Sequence, residues 1–379
     1  MTLTALETPA LLLDRTRLER NLERMRAHVH GLGAVLRPHV KTAKSIDVAR
    51  RALAGEPGGI TVSTLKEAEY FAAQGIRDIL YAVGIAPAKF AHVIELSRHG
   101  VELKVIVDNL AVARALAGAA QQARVTVPVL IELDVDGHRS GVLPEAPLLI
   151  AIGKVLNDSA GVELRGVLTH AGGSYDLRGA AAIADMAERE RRGTVQAAER
   201  LRAAGCAVPI VSVGSTPTAT FARDLTGVTE VRVGVYMFQD LVMAGIGVCS
   251  VEDIALSVLV SVIGHQPERG WIITDGGWTA LSRDRGTERH DVDQGYGLVC
   301  DVSGRPLRED LIVVTTNQEH GVLTRRDRGA IDPARFPVGT LLRVLPNHAC
   351  ATAAAHTHYH VVDGDSPEVV ARWERFGGW

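Results

Sequence analysis

Between residues 34 and 238 the chain repeats one pattern eight times: a short run rich in Val, Ile and Leu, then a stretch with helical periodicity. The apolar runs cover 34–40, 60–63, 79–83, 103–108, 128–135, 164–170, 210–214 and 230–238. Helix-like stretches such as 64–75, 86–98, 109–122 and 180–204 lie between them. Most of the runs show no polar alternation, as expected of strands buried on both faces. Eight strand–helix units in succession predict a (β/α)8 barrel. An open doubly wound sheet is the alternative, because counting strands does not show closure. No G-x-G-x-x-G follows a strand, which speaks against a dinucleotide fold.

After about residue 245 helical patterns nearly vanish. Apolar runs at 258–263, 271–275, 311–315, 340–345 and 359–362, among Gly- and Pro-containing stretches, predict a second, mostly β domain. The expected division is a barrel over 15–245 and a β domain made of 1–14 plus 246–379. The apolar run at 8–14 precedes the barrel and is expected to join the β domain. A length of 379 residues suits two such domains. The net charge of -3 gives no reason to expect nucleic acid or an anionic membrane as partner. No apolar stretch approaches the ~18 residues of a spanning helix, and Met1–Asp14 lacks the basic and apolar regions of a secretory leader. Four scattered cysteines without a C-x-x-C pair fit a reducing cytoplasm rather than a disulfide framework.

In an α/β barrel chemistry gathers at the C-terminal strand ends. The first predicted strand ends in Arg37-Pro38-His39-Val40-Lys41, and a lysine at the mouth of an apolar barrel is expected to be partly desolvated, which favours its nucleophilic neutral form. Simple strand capping by an exposed lysine is the alternative. The fifth strand delivers Asp134, Asp136, His138 and Arg139, the sixth His170 and Tyr175, and the eighth Tyr236. The seventh delivers Gly214, Ser215, Thr216 and Thr218 ahead of a helix, which reads equally as a phosphate cradle or as ordinary N-capping. A lysine, a phosphate loop and imidazoles between them suggest pyridoxal phosphate. In the β domain His348 and Cys350, two apart, would face one way on an extended segment and suit Zn²⁺. His356, His358 and His360 would also share a strand face, and read first as a solvated one. His320, in Gln318-Glu319-His320-Gly321, is a candidate acid–base group or part of a polar turn.

These motifs resemble the D-serine dehydratase and D-threonine aldolase group of fold type III pyridoxal-phosphate enzymes. Arg37–Lys41, Val62–Leu65, Thr169–Tyr175, Val213–Thr218, Gln318–Gly321 and Pro346–Thr352 carry the likeness, in order, over nearly the whole chain. The resemblance implies an alanine-racemase-type barrel with a C-terminal β domain, acting as a homodimer. It implies that Lys41 holds pyridoxal 5'-phosphate covalently. It places His39, Arg139, His170, Tyr175, Gly214, Ser215, Thr216, Thr218 and Tyr236 around that cofactor. It gives His348 and Cys350 a divalent metal, with Zn first and Mn or Co as alternatives. The implied activity is dehydration and deamination of a D-3-hydroxy amino acid, D-threo-3-hydroxyaspartate or D-serine, to a 2-oxo acid and ammonia. Retro-aldol cleavage to glycine and an aldehyde is the alternative, and Cys350 favours the dehydratase because aldolases of the group often carry Asp there. A β-carboxylate substrate calls for a nearby cation, for which Arg139, Arg283 and Arg285 are candidates.

Overall fold

The structure, a computed structural model, describes all 379 residues. It divides into two compact units. One comprises Arg24–Gly234 with Gly378–Trp379, and the other Met1–Glu23 with Val235–Gly377.

After β1 (Ala10–Asp14) and α1 (Arg15–Gly31), eight strands alternate with helices. They run β2 (Val35–Pro38), α2 (Ile46–Leu53), β3 (Ile60–Val62), α3 (Leu65–Ala73), β4 (Asp78–Gly84), α4 (Phe90–Arg98), β5 (Glu102–Val107) and α5 (Leu110–Ala123). The series continues with β6 (Val127–Leu133), α6 (Pro147–Asp158), β7 (Val162–Thr169), α7 (Ala180–Ala203), β8 (Ile210–Val213), α8 (Thr216–Phe221) and β9 (Glu230–Val233). Neighbours pair in parallel in the order β2-β9-β8-β7-β6-β5-β4-β3. The ends of that order meet at a parallel bridge between His39 and Thr61, where the Val40 N–H donates to the Thr61 carbonyl at 2.9 Å. The parallel sheet is therefore a barrel, and the open-sheet alternative falls. Gly166 lets β7 and β8 approach: its φ is +152° and an added Cβ would stand 2.0 Å from the Ile210 carbonyl oxygen.

Side chains from four strands form a charged cluster in this unit. Arg37, 4% exposed, donates to Glu230 at 2.7 Å and to Asp78 at 2.8 Å. Lys104 adds a second cation to Asp78 at 2.8 Å. A guanidinium this buried persists only because both acids accept from it.

The other unit is mostly antiparallel. Its strands are β1, β10 (Leu256–Gln266), β11 (Trp271–Thr274), β12 (Leu298–Cys300), β13 (Leu311–Thr316), β14 (Gly321–Arg325), β15 (Leu341–Leu345), β16 (His358–Val362) and β17 (Ala371–Glu374). They order as β11-β14-β13-β12-β15-β10-β1-β16-β17, and β10 also pairs with β11, which closes a second barrel. β10 can serve both ends because its register shifts between Val262 and Gly264. The run at 8–14 does join this sheet, pairing antiparallel with β10 and parallel with β16. Three short helices complete the unit: α9 (Leu241–Gly245), α10 (Trp278–Leu281) and α11 (Ala349–Ala354).

The compact units part at Glu23/Arg24 and Gly234/Val235 rather than at residues 15 and 245. The first turns of α1 are tied by Arg17 to the Ile254 carbonyl, by Arg20 to that of Glu252, and by Asn21 to those of Met237 and Asp253. Those bonds draw the start of α1 into the β unit.

One prediction concerns acid stability. Against the desolvation of its burial, the hydrogen bond and charge of Arg37, then those of Lys104, hold the Asp78 carboxyl down to about 2. A depressed carboxyl contributes stability above its unfolded pKa and loses it as pH falls through the folded one, here between about pH 4 and pH 2. The urea midpoint should fall across that window, and Asp78→Asn should remove part of the fall while lowering stability at pH 7. An unchanged acid limb in Asp78→Asn would contradict the assignment.

Candidate active site

Closure of the barrel decides where Lys41 goes. The chain passes from β2 through the His39–Thr61 bridge, and the Lys44 N–H returns to the Val40 carbonyl at 2.7 Å. Lys41 stands in this tight turn with its side chain exposed. The expected desolvation of its amine is thus not provided by the turn itself. Lys44 follows in left-handed backbone (φ 45°), pairs with buried Glu67 at 3.1 Å, and leaves Ser45 as N-cap of α2.

Two imidazoles flank the turn. His39 Nε2 lies 3.4 Å from the Ser63 hydroxyl. Burial first, then the charges of Lys41, Arg232 and His170, holds its pKa well below the ordinary value. His170 Nδ1 donates to the Gly214 carbonyl at 2.9 Å, which leaves Nε2 bare. Burial, followed by Lys41, Arg232 and Arg139, pulls His170 down to about 3 despite that bond. Both rings are neutral at pH 7, and His170 is fixed in one tautomer. Tyr175 tilts toward His170 with ring centroids 6.2 Å apart. Arg139 is largely exposed and approaches Glu132 at 3.7 Å. Asp134 and Asp136 build the turn instead: Asp134 accepts from the Asp136 and Gly137 N–H groups, and Asp136 from Gly173.

At the start of α8 the N-capping alternative is realised. Ser215 and Thr218 form a reciprocal capping box, and Ser215 also meets the Ser174 hydroxyl at 2.8 Å. Beneath them lies Glu190 of α7, 2% exposed, which was not anticipated from sequence. Its Oε1 accepts from the Ala171 and Gly214 N–H groups at 3.1 and 3.0 Å, and its Oε2 from the Thr218 hydroxyl at 2.7 Å. One carboxylate therefore holds the loops after β7 and β8 together. Capping does not disqualify the loop from a phosphate role, since it fixes the backbone that such a role needs. The second unanticipated residue is Arg232 of β9, 5% exposed, which donates to Ser212 at 2.8 Å and to the Thr169 carbonyl. A primary amine, neutral imidazoles, a buried guanidinium and a braced hydroxyl loop together fit a phosphorylated aldehyde cofactor.

Tyr236, expected at the end of the last barrel strand, lies in a 3-10 turn of the β unit, 1% exposed. His320 is exposed in the tight turn between β13 and β14, where the Asn317 N–H donates to its carbonyl at 2.8 Å.

In the β unit His348 and Cys350 do converge, though not along an extended segment. His348 precedes α11 and Cys350 lies in its first turn. The bond that His348 Nδ1–H donates to Asp284 Oδ2 at 3.1 Å, then one with Cys350, pushes His348 up to about 11. Asp284 was passed over in the sequence in favour of its arginine neighbours, yet it is the residue that orients the ring. Arg285 is committed to Asp293 at 2.7 Å, and Arg283 lies over the Trp278 ring at 5.3 Å. Asp240, 2% exposed, accepts from the Met243 and Ala349 N–H groups and so clamps α9 to α11; burial pushes it up to about 6. With Nδ1 taken by a carboxylate, the other ring nitrogen and the thiol of Cys350 form a borderline-soft donor pair that fits a divalent metal. A metal held by this pair would have to displace protons, so its binding would weaken as pH falls.

Residues 13–241 match the alanine racemase N-terminal domain, and residues 255–362 the putative serine dehydratase domain. The chain belongs to the D-serine dehydratase and D-threonine aldolase group. It is 54% identical over 381 residues to a D-threo-3-hydroxyaspartate dehydratase of Delftia sp., covering 100% of this chain and 99% of that protein. The solved structure of that dehydratase superposes with a TM-score of 0.97 over 100% of both chains. A D-serine dehydratase of Dictyostelium discoideum is 30% identical, covering 95% of this chain and 94% of its own. A D-threonine aldolase of Arthrobacter sp. is also 30% identical, with coverage of 98% and 93%. The alanine-racemase-like barrel with a separate antiparallel β barrel, read from the order of strands, is the fold of this group.

Removing Glu190 tests the brace beneath the loops. Glu190→Ala loses three buried hydrogen bonds at about 1 kcal/mol each, so the urea midpoint should fall and cofactor affinity should drop at least about tenfold. Glu190→Gln, which keeps one acceptor oxygen, should fall between the two. Equal affinity in Glu190→Ala and the parent would show that the brace is not what shapes the loop.

Proposed function

We propose that the protein is a pyridoxal-phosphate- and metal-dependent lyase that dehydrates and deaminates a D-3-hydroxy amino acid to a 2-oxo acid and ammonia. The observation that carries this reading is the end-to-end likeness to the Delftia dehydratase, at 54% identity. One structure of that relative is of its metal-free form, which supports a metal in the reading.

Pyridoxal phosphate, when bound, supplies an electron sink that makes the Cα–H of an amino acid acidic. Lys41 is the residue to hold it and to take the α-proton on its amine, being exposed at the barrel mouth. His39, His170, Tyr175, Arg139 and Arg232 orient the group, and Gly214, Ser215, Thr216 and Thr218 form its phosphate side. His170 keeps a bare Nε2 because its Nδ1–H is spent on Gly214. Tyr236 belongs to the same reading as an aromatic neighbour, and His320 as a candidate acid–base group. A divalent metal, when bound, supplies Lewis acidity to help the β-hydroxyl leave. His348 and Cys350 are the residues to hold it, with Asp284 fixing the imidazole. Zn²⁺ suits that pair first, Mn²⁺ or Co²⁺ after it. D-threo-3-hydroxyaspartate is the first substrate choice and D-serine the second. Retro-aldol cleavage is the second reading, carried by the 30% identity to the aldolase. A homodimer in the cytoplasm completes the proposal, the compartment being supported by four scattered cysteines without a C-x-x-C pair.

A substrate panel decides the reaction. D-threo-3-hydroxyaspartate, D-serine, D-threonine and their L forms are incubated with the enzyme, with and without chelator, and the products identified. Oxaloacetate and ammonia from the first substrate, abolished by chelator and restored by metal, are expected. Glycine with an aldehyde would install the aldolase reading, and turnover indifferent to chelator would remove the metal from the mechanism.

A further inference from the structure

A second pair of imidazoles lies in the β unit, in the stretch His356–His360. His358 and His360 alternate along β16 and so project on one face. Their Nε2 atoms are 3.1 Å apart and their rings 4.7 Å apart at an interplanar angle of 77°. Two nitrogens bound to one metal at about 2.0–2.1 Å stand about 2.9 Å apart at a right angle and about 3.3 Å apart at the tetrahedral angle. The observed separation lies inside that interval without any rearrangement. We propose that His358 and His360 form a second transition-metal site, a two-nitrogen chelate for Cu²⁺, Ni²⁺ or Zn²⁺ completed by water and separate from the His348–Cys350 pair.

The surroundings set the proton positions that such a site needs. His358 Nδ1 lies 3.0 Å from the Thr357 hydroxyl and 3.3 Å from Arg372 Nη2. A donation from Nδ1–H to Thr357 leaves the Nε2 lone pair for a metal, and the hydroxyl then acts as the outer group that orients a ligating histidine. A donation from Arg372 selects the opposite tautomer, in which Nε2–H bonds to His360. Glu374, the Cα partner of His358 across β16–β17, pairs with Arg372 at 3.1 Å and gives that guanidinium an alternative partner. Glu374 also offsets the added positive charge. Burial, then Arg372, lowers the pKa of His358; burial, then His358 and Arg372, lowers that of His360. Both rings therefore reach pH 7 unprotonated, as metal ligation requires. His356 is not a third ligand, because its Nε2 is engaged with the Ala280 carbonyl at 3.0 Å. Two neutral nitrogens favour Cu²⁺ over the other divalent ions. The inference does not depend on the proposed activity.

The test uses Cu²⁺ alone, titrated into the chelator-treated, cofactor-loaded protein by calorimetry and followed by electron paramagnetic resonance. His348→Ala/Cys350→Ala removes the first site. That variant should still bind one Cu²⁺ per chain with a Kd in the micromolar range, about -8 kcal/mol at 1 µM, and a spectrum showing two imidazole nitrogens. Adding His358→Gln/His360→Gln should abolish the binding. Either single variant, His358→Gln or His360→Gln, should weaken it at least about tenfold, which keeps the test decisive if the combined variant fails to fold. Cu²⁺ binding that survives the single variants unchanged, a one-nitrogen spectrum, or no binding below about 1 mM would overturn the proposal.

Discussion

The bridge between His39 and Thr61 is the contact on which the barrel's chemistry rests. Eight parallel strands leave two edges, and this is where those edges meet, with Val40 donating to Thr61 at 2.9 Å. Closure removes the exposed edge groups that an open sheet would have to cover. It also fixes the direction in which the chain leaves β2. Lys41 comes one residue after that closing bond, so the lysine's place at the mouth is a consequence of how the sheet closes. The same closure lines His39 up beside Lys41 and within reach of Ser63.

Burial of charge is the second organising effect. Arg232 is almost fully inside the barrel and donates to Ser212 and to the Thr169 carbonyl. Burial first, then the positive charges of Lys41 and Arg232, holds two nearby imidazoles neutral. Neutral rings leave bare nitrogens that accept hydrogen bonds or remain silent during proton transfer. In the β unit the logic is reversed. There the hydrogen bond to Asp284, then the one with Cys350, raises the pKa of His348, and the charge of Asp240 adds to it.

Much of this was legible in the sequence. The barrel strands could be read because strands buried on both faces are continuous apolar runs, and each predicted run overlaps one of β2 to β9. β12, β14 and β17 were not among the predicted runs: polar or charged residues interrupt β14 and β17, and β12 offers only Leu-Val-Cys between Gly297 and Asp301. His348 and Cys350 approach each other on a geometry other than the expected one: α11 begins where an extended segment was expected, with His348 as its N-cap and Cys350 in its first turn. Glu190 was invisible for a different reason. Within Glu188-Arg189-Glu190-Arg191 it looks like one charge on a solvated helix face, and only the fold shows three donors converging on it. Asp284 sat between two arginines and drew less attention than they did. Acids that act by orienting another group leave little trace in a linear pattern, because their partners lie far along the chain.

The central claim is that Lys41 is the amine that carries the cofactor. Borohydride reduction of the cofactor-loaded protein, followed by peptide mapping, tests it most directly. The account predicts that the pyridoxyl label is found on the peptide containing Lys41, that Lys41→Ala loses both the label and the visible absorbance, and that Lys44→Ala, which alters the neighbouring Glu67 pair, keeps them. A label that persists at the same stoichiometry in Lys41→Ala, or that maps to another lysine in the parent protein, would contradict it.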